Sequence, residues 1–509
     1  MKKRLFFFVF FILITGFIFN AVITAQEQYD PEMIFEAAWK AFDQNYGAFI
    51  PKKVDWNLLY QVYRPKVTPL TTDDELFNII GAMLKHLNDN HVSLRGDNDR
   101  RIGAGITSDL QRGDFSLDLV KEKYLKGKFE IRLGSEERPL FHYGWITDEI
   151  GYFHFRNFTG IEESAAVVDE IIAEFQGAKG IIMDIRNNGG GSDRVAKAIG
   201  DRFADTKRLY MYSHIRNGPE HDDFTPPRYW HLEPAGPIQF LKPVILMTNR
   251  FSISAADCFA LGMRALPHVT NVGIATSGAY SDTYRETLPN GWTVVMGNKL
   301  YFDHEGLGWE GIGTPPDLRV FNTTGEIEQG FDKALEFAID ILNSGPIPMQ
   351  DEKTSILNAR KSLANDLEKM IESIGVEAAL RSIERELKPR QHIIRPPEFD
   401  QTRNTPGITI AGDPDSYYID LEELELLAEK LLGSNRIQEA FEVLKIGIKV
   451  YPTDFRAYSN LAEAYAENGE TELARVNYYK AMGMNPRRTA RERRAYETAQ
   501  EFVTKNNDR

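Results

Sequence analysis

The stretch from Gly180 to Gly200 reads GIIMDIRNNGGGSDRVAKAIG and joins an apolar strand, a glycine turn and a helix. Its opening residues are mostly apolar, which is typical of a strand buried on both faces of a sheet. The glycines at 189–191 permit positive φ and leave backbone N–H groups uncovered beside a helix N-terminus. Such groups bind phosphate or stabilise an oxyanion, with a plain tight turn as the structural alternative. This order of elements favours an α/β protein.

The glycine turn lacks the two common nucleotide-binding signatures. A phosphate loop requires Gly-Lys followed by Ser or Thr, whereas Gly191 is followed by Ser-Asp-Arg. The dinucleotide fingerprint G-x-G-x-x-G is also missing. His86, His142 and His154 do not have the spacing of metal ligands. We therefore expect no cofactor and no metal, and we interpret the turn as part of an oxyanion hole.

Strands and helices alternate on both sides of this turn, which predicts an α/β core. The segment at 206–242 is rich in Pro, Gly, His and aromatic residues, and its length indicates a functional loop or lid. The predicted helices are 165–180, 195–203 and 254–266. The predicted strands are 115–134 (as short strands), 149–158, 180–185, 243–249, 269–275 and 292–302.

The start of the chain has the features of an export signal. A basic MKKR, an apolar run and the small residues before Gln26 predict a signal peptide at 1–25, cleaved after Ala25. An uncleaved membrane anchor is the alternative. Either way we expect a periplasmic or extracellular protein. Because its only cysteine, Cys258, cannot form an internal disulfide, we expect a buried thiol and stabilisation by the core.

Charge limits the classes of partner. The formal net charge is −14, and no dense run of Lys and Arg follows the first residues. Nucleic acid and anionic membrane are therefore unfavourable main partners.

Helical periodicity at both ends divides the chain. Apolar residues recur three and four apart at 31–49 and 71–87, and Thr71 or Thr72 is a suitable cap for the second helix. We assign the regions as a signal peptide (1–25), an N-terminal helical subdomain (26–97), the α/β core (98–345), a helical linker with a Pro-bearing segment (346–415) and an all-α repeat region (416–509).

The last region contains two similar segments, RIQEAFEVLKIGIKVYPTD and ETELARVNYYKAMGMNPRR. They align with an offset of 34 residues, which pairs Ala440 with Ala474 and Pro452 with Pro486. A helical pair of this period, with Ala at the close contact and Pro after the second helix, resembles the tetratricopeptide repeat. A chance pair of helices is the alternative. We expect the repeats to bind a protein partner.

A candidate nucleophile lies in the stretch TNRFSISAADCFALG at 248–262. An apolar strand precedes it and a helix of small residues follows Ser254, so that Ala255 offers a free N–H at the helix start. In many hydrolases the residue after the nucleophile is an oxyanion donor. The structural alternative is that Ser254 only caps the helix. Ser252 is interpreted as turn chemistry.

Four motifs in this order, DIRNNGGG, TNRFSISAAD, VGIATSGAYS and EGIGTPPD, resemble the tail-specific (C-terminal processing) protease family of serine peptidases. The match covers about residues 140–322. The resemblance implies a crotonase-like α/β spiral core with Ser254 as the nucleophile. It also implies the N–H groups of Gly190 and Ala255 as oxyanion donors, with Gly191 as the alternative to Gly190.

The resemblance also implies which base serves the serine. Many family members use a lysine at the position where this chain has Ala279, which argues against a Ser–Lys dyad. The branch similar to the tricorn protease core uses histidine and glutamate, which correspond to His91 in HLNDNHVSL and Glu310 in EGIGTPPD. His91 would take the Ser254 proton, and Glu310 would orient the imidazole. Asn90 stands where that branch has a further serine.

Two functions remain open at this stage. The first is an exported serine peptidase that acts on peptides or on protein C-termini through Ser254, His91 and Glu310. The second is a non-catalytic protein of the same fold that binds a lipid, a retinoid-like ligand or a peptide beneath the aromatic segment at 206–242. In both, the C-terminal repeats would serve as a protein-interaction module.

Overall fold

The computed structural model describes residues 30–105, 113–131, 133, 138–344, 361–384, 387, 393–394, 398–400, 405–411, 417–484 and 490–506. The predicted signal peptide at 1–25 therefore lies outside the described residues. Within these ranges, no helix combines the length and apolar character needed to cross a bilayer.

The helices and strands alternate through the first two thirds of the chain, and helices dominate the last third. In chain order the α-helices are α1 (Pro31–Asn45), α2 (Trp56–Tyr63), α3 (Asp73–Lys85), α4 (Leu117–Leu119), α5 (Ile161–Glu174), α6 (Asp193–Gly200), α7 (Ala255–Arg264), α8 (Thr324–Glu328), α9 (Lys333–Ser344), α10 (Leu363–Ile374), α11 (Val376–Ser382), α12 (Leu421–Gly433), α13 (Ile437–Val450), α14 (Phe455–Glu467), α15 (Thr471–Gly483) and α16 (Ala490–Lys505). The strands are β1 (Ser93–Arg95), β2 (Arg101–Gly103), β3 (Lys126–Ile131), β4 (Phe141–Trp145), β5 (Ile150–Phe155), β6 (Gly180–Asp184), β7 (Arg208–Ile215), β8 (Arg228–Leu232), β9 (Val244–Thr248), β10 (Val269–Gly273), β11 (Thr283–Thr287), β12 (Thr293–Gly297), β13 (Lys299–Asp303), β14 (Leu307–Gly308), β15 (Leu318–Arg319), β16 (Lys361–Ser362), β17 (Ile393–Ile394), β18 (Glu398–Asp400), β19 (Thr405–Ala411) and β20 (Tyr417–Tyr418).

A mixed sheet with the order β15-β10-β9-β6-β5-β4-β3 forms the core. Strands β5, β6, β9, β10 and β15 run parallel, and β3 and β4 add antiparallel strands at one edge. Along β6 the buried side chains alternate between two apolar clusters, with Ile181 and Met183 in one and Ile182 in the other. Burial on both faces explains the uninterrupted apolar run of this strand. The predicted α/β core is confirmed, whereas the spiral path implied by the resemblance stays a prediction.

The N-terminal helices pack against a second sheet, β11-β12-β1-β2, and share an apolar cluster with it. Thr72 caps α3: its Oγ accepts from the Glu75 N–H (3.4 Å), and the Glu75 carboxylate accepts from the Thr72 N–H (2.9 Å). This reciprocal pair confirms the predicted helix start. Strand β1 pairs with β12, so the connection that carries His91 between α3 and β1 leads directly into the second sheet.

Two strand predictions are wrong in detail. The residues at 115–134 begin with α4 instead of a strand, because Ser116 Oγ accepts from the Leu119 N–H (3.2 Å) and caps a helical turn. The single strand predicted at 292–302 is two strands, β12 and β13, which belong to different sheets. Between them the Gly297 carbonyl accepts from the Gly47 N–H (2.9 Å), a contact with the α1–α2 loop that local sequence does not indicate.

The segment at 206–242 is not a loop throughout. It contains β7 and β8, which pair antiparallel with each other, and β7 pairs with β13. These strands belong to the third sheet, β17-β19-β14-β13-β7-β8, in which β19 also pairs with β18. The aromatic residues that indicated a lid are therefore partly the inward-facing residues of a sheet, such as Trp230.

The C-terminal helices α10–α16 form an apolar cluster of their own. This cluster begins at Leu363, so the part of the predicted linker at 363–387 packs with the last helices. Ala440 and Ala474 are both fully buried at matching places in α13 and α15. The predicted C-terminal helical region is confirmed, and its assignment as tetratricopeptide repeats stays a prediction. Pro486 lies outside the described residues.

Candidate active site

Ser254 occupies a strained backbone position at the start of α7. Strand β9 ends at Thr248, and after a short turn Ser254 has φ 63° and ψ −120°, which residues other than glycine rarely adopt. A sharp strand-to-helix turn of this kind presents the nucleophile of α/β hydrolases. Ser252 is fully buried, and its Oγ donates to the Ile185 carbonyl (2.8 Å) and accepts from the Asn249 N–H (3.1 Å). The interpretation of Ser252 as a turn residue is confirmed.

Asp257 holds the backbone on both sides of the serine turn. Its Oδ2 accepts from the Ser254 N–H (2.8 Å) and the Ala279 N–H (3.2 Å), and its Oδ1 accepts from the Gly278 N–H (2.7 Å). Burial raises the pKa of Asp257 to about 6, although these hydrogen bonds oppose the rise. Asp257 was not among the predicted site residues, although its place three residues after Ser254 is the spacing of a capping box.

The glycine turn lies directly against Ser254. Gly190 has φ 82°, and a Cβ at this position would lie 2.6 Å from Ser254 Cβ and 2.4 Å from the Ile253 carbonyl oxygen. Only glycine fits so close an approach with this φ. The structure therefore brings together three of the predicted site residues, Gly190, Ser254 and Ala255.

The predicted oxyanion donors differ in availability. The Gly190 N–H donates to Asn188 Oδ1 (2.9 Å). In the described part of the chain, no acceptor is found for the N–H groups of Ala255 and Gly191. Gly191 follows Gly190 directly, so its N–H also lies near the serine turn. The N–H groups that remain for an oxyanion are therefore those of Ala255 and of Gly191, the alternative to Gly190.

His91 is partly buried in the turn between α3 and β1. Its backbone N–H donates to Asp89 Oδ1 (2.8 Å). Its Nδ1 is buried and has no hydrogen-bond partner among the described residues. Burial lowers the pKa of His91, which the Asp89 carboxylate opposes and Lys52 reinforces. The imidazole is therefore neutral near neutral pH, the form that a general base requires.

Glu310 is buried, with 5% of its surface exposed. Its Oε2 accepts from the Tyr280 N–H (3.1 Å), and its Oε1 lies 3.8 Å from Lys52 Nζ. Burial raises the pKa of Glu310 to about 8, with Lys52 opposing the rise and Asp89 adding to it. Near neutral pH this carboxyl is therefore mostly protonated.

His91 and Glu310 are connected by three residues that were not predicted: Tyr46, Lys52 and Asp89. Lys52 Nζ lies 3.2 Å from Asp89 Oδ2 and also contacts Glu310. The Tyr46 hydroxyl donates to the same Asp89 oxygen (2.7 Å). Asp89 stands two residues before His91, which is the one local signal that could have identified it.

The three predicted catalytic side chains are not joined by hydrogen bonds. Ser254, His91 and Glu310 are all among the described residues, and no hydrogen bond links any two of them. An indirect connection runs through Asn90, whose Nδ2 donates to Ser277 Oγ (2.7 Å). Ser277 in turn donates its N–H to the carbonyl of Ser252 in the serine turn (2.9 Å).

Comparison with known proteins identifies the family of the chain. Residues 149–320 match the family described as Peptidase family S41, and residues 28–85 match the Tricorn protease C1 domain. A solved structure from Parabacteroides merdae ATCC 43184, named a "putative peptidase", is 31% identical, with a TM-score of 0.55, over 63% of this chain and 100% of its own. The chain belongs to peptidase family S41. In this S41 member, Lys52 lies in the first matched segment, and Ser254 and Glu310 lie in the second.

Two curated relatives extend the comparison. Tricorn protease homolog 1 of Streptomyces coelicolor is 25% identical over 40% of the S41 member and 19% of its own length. The carboxy-terminal-processing protease of Bartonella bacilliformis is 24% identical over 37% of the S41 member and 43% of its own length. The chain thus spans less than half the length of either relative.

Proposed function

We propose that this S41 family member is an exported serine peptidase that hydrolyses peptide bonds in peptides or proteins, with Ser254 as its nucleophile. The observation that carries the proposal is the strained conformation of Ser254 at the start of α7, with Gly190 packed against it. A serine that only capped the helix would not need this strain. The names of the two curated relatives, both proteases, support a peptide or protein substrate.

In the proposed reaction, Ser254 Oγ attacks the carbonyl carbon of the peptide bond. His91 takes the hydroxyl proton and returns it to the leaving amine, so that the C–N bond breaks and an acyl-enzyme forms. The N–H groups of Ala255 and Gly191 stabilise the oxyanion. Water then attacks the acyl carbon while His91 takes its proton, the ester bond to Ser254 Oγ breaks, and the proton returns to Ser254 Oγ. Ionised Glu310 would stabilise the His91 imidazolium.

The reaction requires a rearrangement from the described geometry. His91 must come within about 3 Å of Ser254 Oγ, and catalytic hydrogen bonds often tighten only when substrate binds. The turn at Asn90 is the element that must move, because its side chain holds Ser277. Substrate binding would supply the free energy for this movement.

The proposed peptidase is exported and has a protein partner. Export follows from the predicted signal peptide at 1–25 and places the enzyme in the periplasm or outside the cell. The helices from Leu421 onward would act as tetratricopeptide-like repeats that recruit a protein substrate or partner. The non-catalytic binding alternative is less favoured, because both curated relatives are named proteases.

Substitution of the nucleophile tests the proposal. Ser254→Ala should lower casein hydrolysis at least about 1,000-fold and abolish labelling by a fluorophosphonate, because it removes the proposed attacking hydroxyl. The thermal unfolding midpoint should stay close to that of the wild type. Ser373→Ala, an exposed hydroxyl on α10, is the matched control and should retain full activity. Undiminished hydrolysis by Ser254→Ala would refute the proposal.

A further inference from the structure

Lys52 places a charged group inside the protein, between two carboxyl groups. Only 9% of its side chain is exposed. Its Nζ lies 3.2 Å from Asp89 Oδ2 and 3.8 Å from Glu310 Oε1, and it donates to the Asn88 carbonyl (3.1 Å). A buried ammonium is costly unless it is paired and hydrogen-bonded. The Asp89 carboxylate and the Asn88 carbonyl meet that need, and Glu310 lies at the longer distance of an ion pair.

The position of Lys52 relates it to the proposed catalytic residues. Asp89, one of its partners, accepts a hydrogen bond from the backbone N–H of His91 through the other carboxylate oxygen. Glu310, the second partner, is held on its far side by the Tyr280 N–H. Lys52 therefore contacts both carboxyl groups. Asp89 holds the His91 backbone, and Glu310 would stabilise the charged imidazolium.

Lys52 also lies close to the turn that carries Ala279. A Cβ on Gly311 would lie 3.8 Å from Lys52 Cε, and the Gly311 N–H donates to the Gly278 carbonyl (2.6 Å). Lys52 therefore lies next to Gly311, which is hydrogen-bonded to the residue before Ala279. Ala279 is the position at which many family members have a lysine.

We propose that Lys52 is a positioning residue of the hydrolytic site, which holds Glu310 and Asp89 in one buried ion cluster and sets the charge available to His91. The inference rests on the proposed function, because the effect on His91 matters only if His91 is the base. Lys52 contacts no reacting atom and acts through its two carboxyl partners.

The charged groups around Glu310 predict how the replacement of Lys52 should change the pKa of Glu310. The titratable groups that face Glu310 are Lys52, Asp89, Asp257 and Tyr46. Burial alone would raise the pKa of Asp89, but Lys52, His91 and Tyr46 lower it below its ordinary value. The ammonium of Lys52 therefore lies near two carboxyl groups with different pKa values. Near neutral pH Asp89 is ionised, whereas Glu310 is mostly protonated.

The activity should rise as Glu310 loses this proton. We expect kcat/KM to increase through about pH 8, because only the ionised carboxylate stabilises an imidazolium. Lys52→Met removes a charge that favours the ionised form, so this rise should move up by about one pH unit or more. At about pH 7 the activity should then fall about tenfold, with little change in KM. Lys52→Arg keeps the charge and should restore the wild-type profile.

Asp89→Asn is the second variant and should act in the opposite direction. It removes the carboxylate that competes for Lys52, while the amide oxygen can still accept the His91 N–H. The rise in kcat/KM should therefore move to lower pH. A merely structural role of the cluster would lower the activity of both variants without moving the profile in opposite directions.

The experiment measures kcat/KM for fluorescein-labelled casein between about pH 6 and pH 10 for the full chain. Lys53→Met, the exposed neighbouring lysine, is the control and should match the wild type. The proposal is overturned if the Lys52→Met profile overlays that of the wild type, or if Asp89→Asn moves the rise upward. If Lys52→Met does not fold, Asp89→Asn and Lys52→Arg decide between the same outcomes.

A measurement without turnover separates this inference from the proposed function. In the Ser254→Ala background, the fall in the unfolding midpoint with rising pH should extend to higher pH when Lys52 is replaced by Met. If the wild type neither hydrolyses casein nor reacts with a fluorophosphonate, the proposed function fails, and this shift still tests whether Lys52 controls Glu310. If hydrolysis is present and the shift is absent, only the Lys52 inference fails.

Discussion

Ser254 is held in a strained conformation by its neighbours, because its own backbone preference disfavours a positive φ. Such a position costs about 1–3 kcal/mol and persists only where the surroundings over-determine it. Asp257 supplies that constraint by accepting the Ser254 N–H (2.8 Å), and the Asp257 N–H donates back to the Ser254 carbonyl (2.8 Å). Asp257 and Ser254 together form a capping box that fixes the first turn of α7 around the strained residue.

Glu310 should limit stability as well as activity. Its pKa is raised in the folded protein from 4.5 to about 8, so the unfolded chain loses this proton first as the pH increases. The folded state is therefore progressively destabilised between about pH 4.5 and pH 8, and the favourable contribution is complete only at lower pH. Glu310→Gln should raise the free energy of unfolding at about pH 8 by about 4 kcal/mol and leave it unchanged at about pH 4.

Urea unfolding at these two pH values measures this difference. The same variant should lower kcat/KM at about pH 8 at least about tenfold, because a neutral amide cannot stabilise an imidazolium. Glu162→Gln, an exposed residue in the first turn of α5, is the control for both measurements. An equal loss of stability at both pH values would contradict the assignment of a buried, protonated Glu310.

Two turns at the carboxyl ends of parallel strands β6 and β9 pack together to form the site. The β6–α6 turn carries Gly190, and the β9–α7 turn carries Ser254. The register of β6 and β9 aligns Asp184 with Met247, so both strands end at the same edge of the sheet. Ligands and catalytic groups commonly lie at this edge in α/β proteins.

The close packing of these turns predicts that Gly190 is irreplaceable. Gly190→Ala places a methyl group 2.6 Å from Ser254 Cβ and forces alanine to a φ of 82°. We expect a loss of about 2 kcal/mol or more in the free energy of unfolding and at least about 100-fold in kcat/KM. Casein hydrolysis and thermal unfolding measure the two effects.

The neighbouring glycine offers a matched control for that variant. A Cβ on Gly189 would meet no atom within 4 Å, and Gly189 is exposed. Gly189→Ala should therefore retain activity and stability. If both alanine variants behaved alike, the packing of Gly190 against Ser254 would not be the cause.

Among the described residues, the C-terminal helices have an apolar core that is separate from the clusters of the sheets. The central sheet has its own clusters, whereas helices α10–α16 share a different one. Leu363, Leu367 and Ile371 of α10 are buried in the C-terminal cluster, with at most 3% of their surface exposed. Residues assigned to a linker from sequence are thus part of the helical core.

This division predicts the outcome of two truncations. A chain that ends at residue 344 should stay folded and keep hydrolysing casein, because the central sheet and the site residues are complete, although the third sheet loses β17 and β19. A chain that ends at residue 415 keeps α10 and α11 without the helices that cover them. We expect it to aggregate, because it exposes a contiguous apolar surface.

Size-exclusion chromatography and casein hydrolysis distinguish the two truncated chains. A soluble, monodisperse chain ending at 415 would contradict the shared core. Loss of hydrolysis in a folded chain ending at 344 would show instead that the C-terminal helices contribute to the site.

The sequence by itself determined the features that arise locally. Buried parallel strands need apolar runs, sharp turns need glycine, and a helix start needs a cap, so the α/β core, the glycine turn and the Ser254 position were predictable. Only the tertiary structure decided the sheet change between β12 and β13 and the cluster of Tyr46, Lys52, Asp89 and Glu310. These features join residues far apart in the chain, and the energy of such ion pairs depends on burial and distance, which no short sequence pattern records.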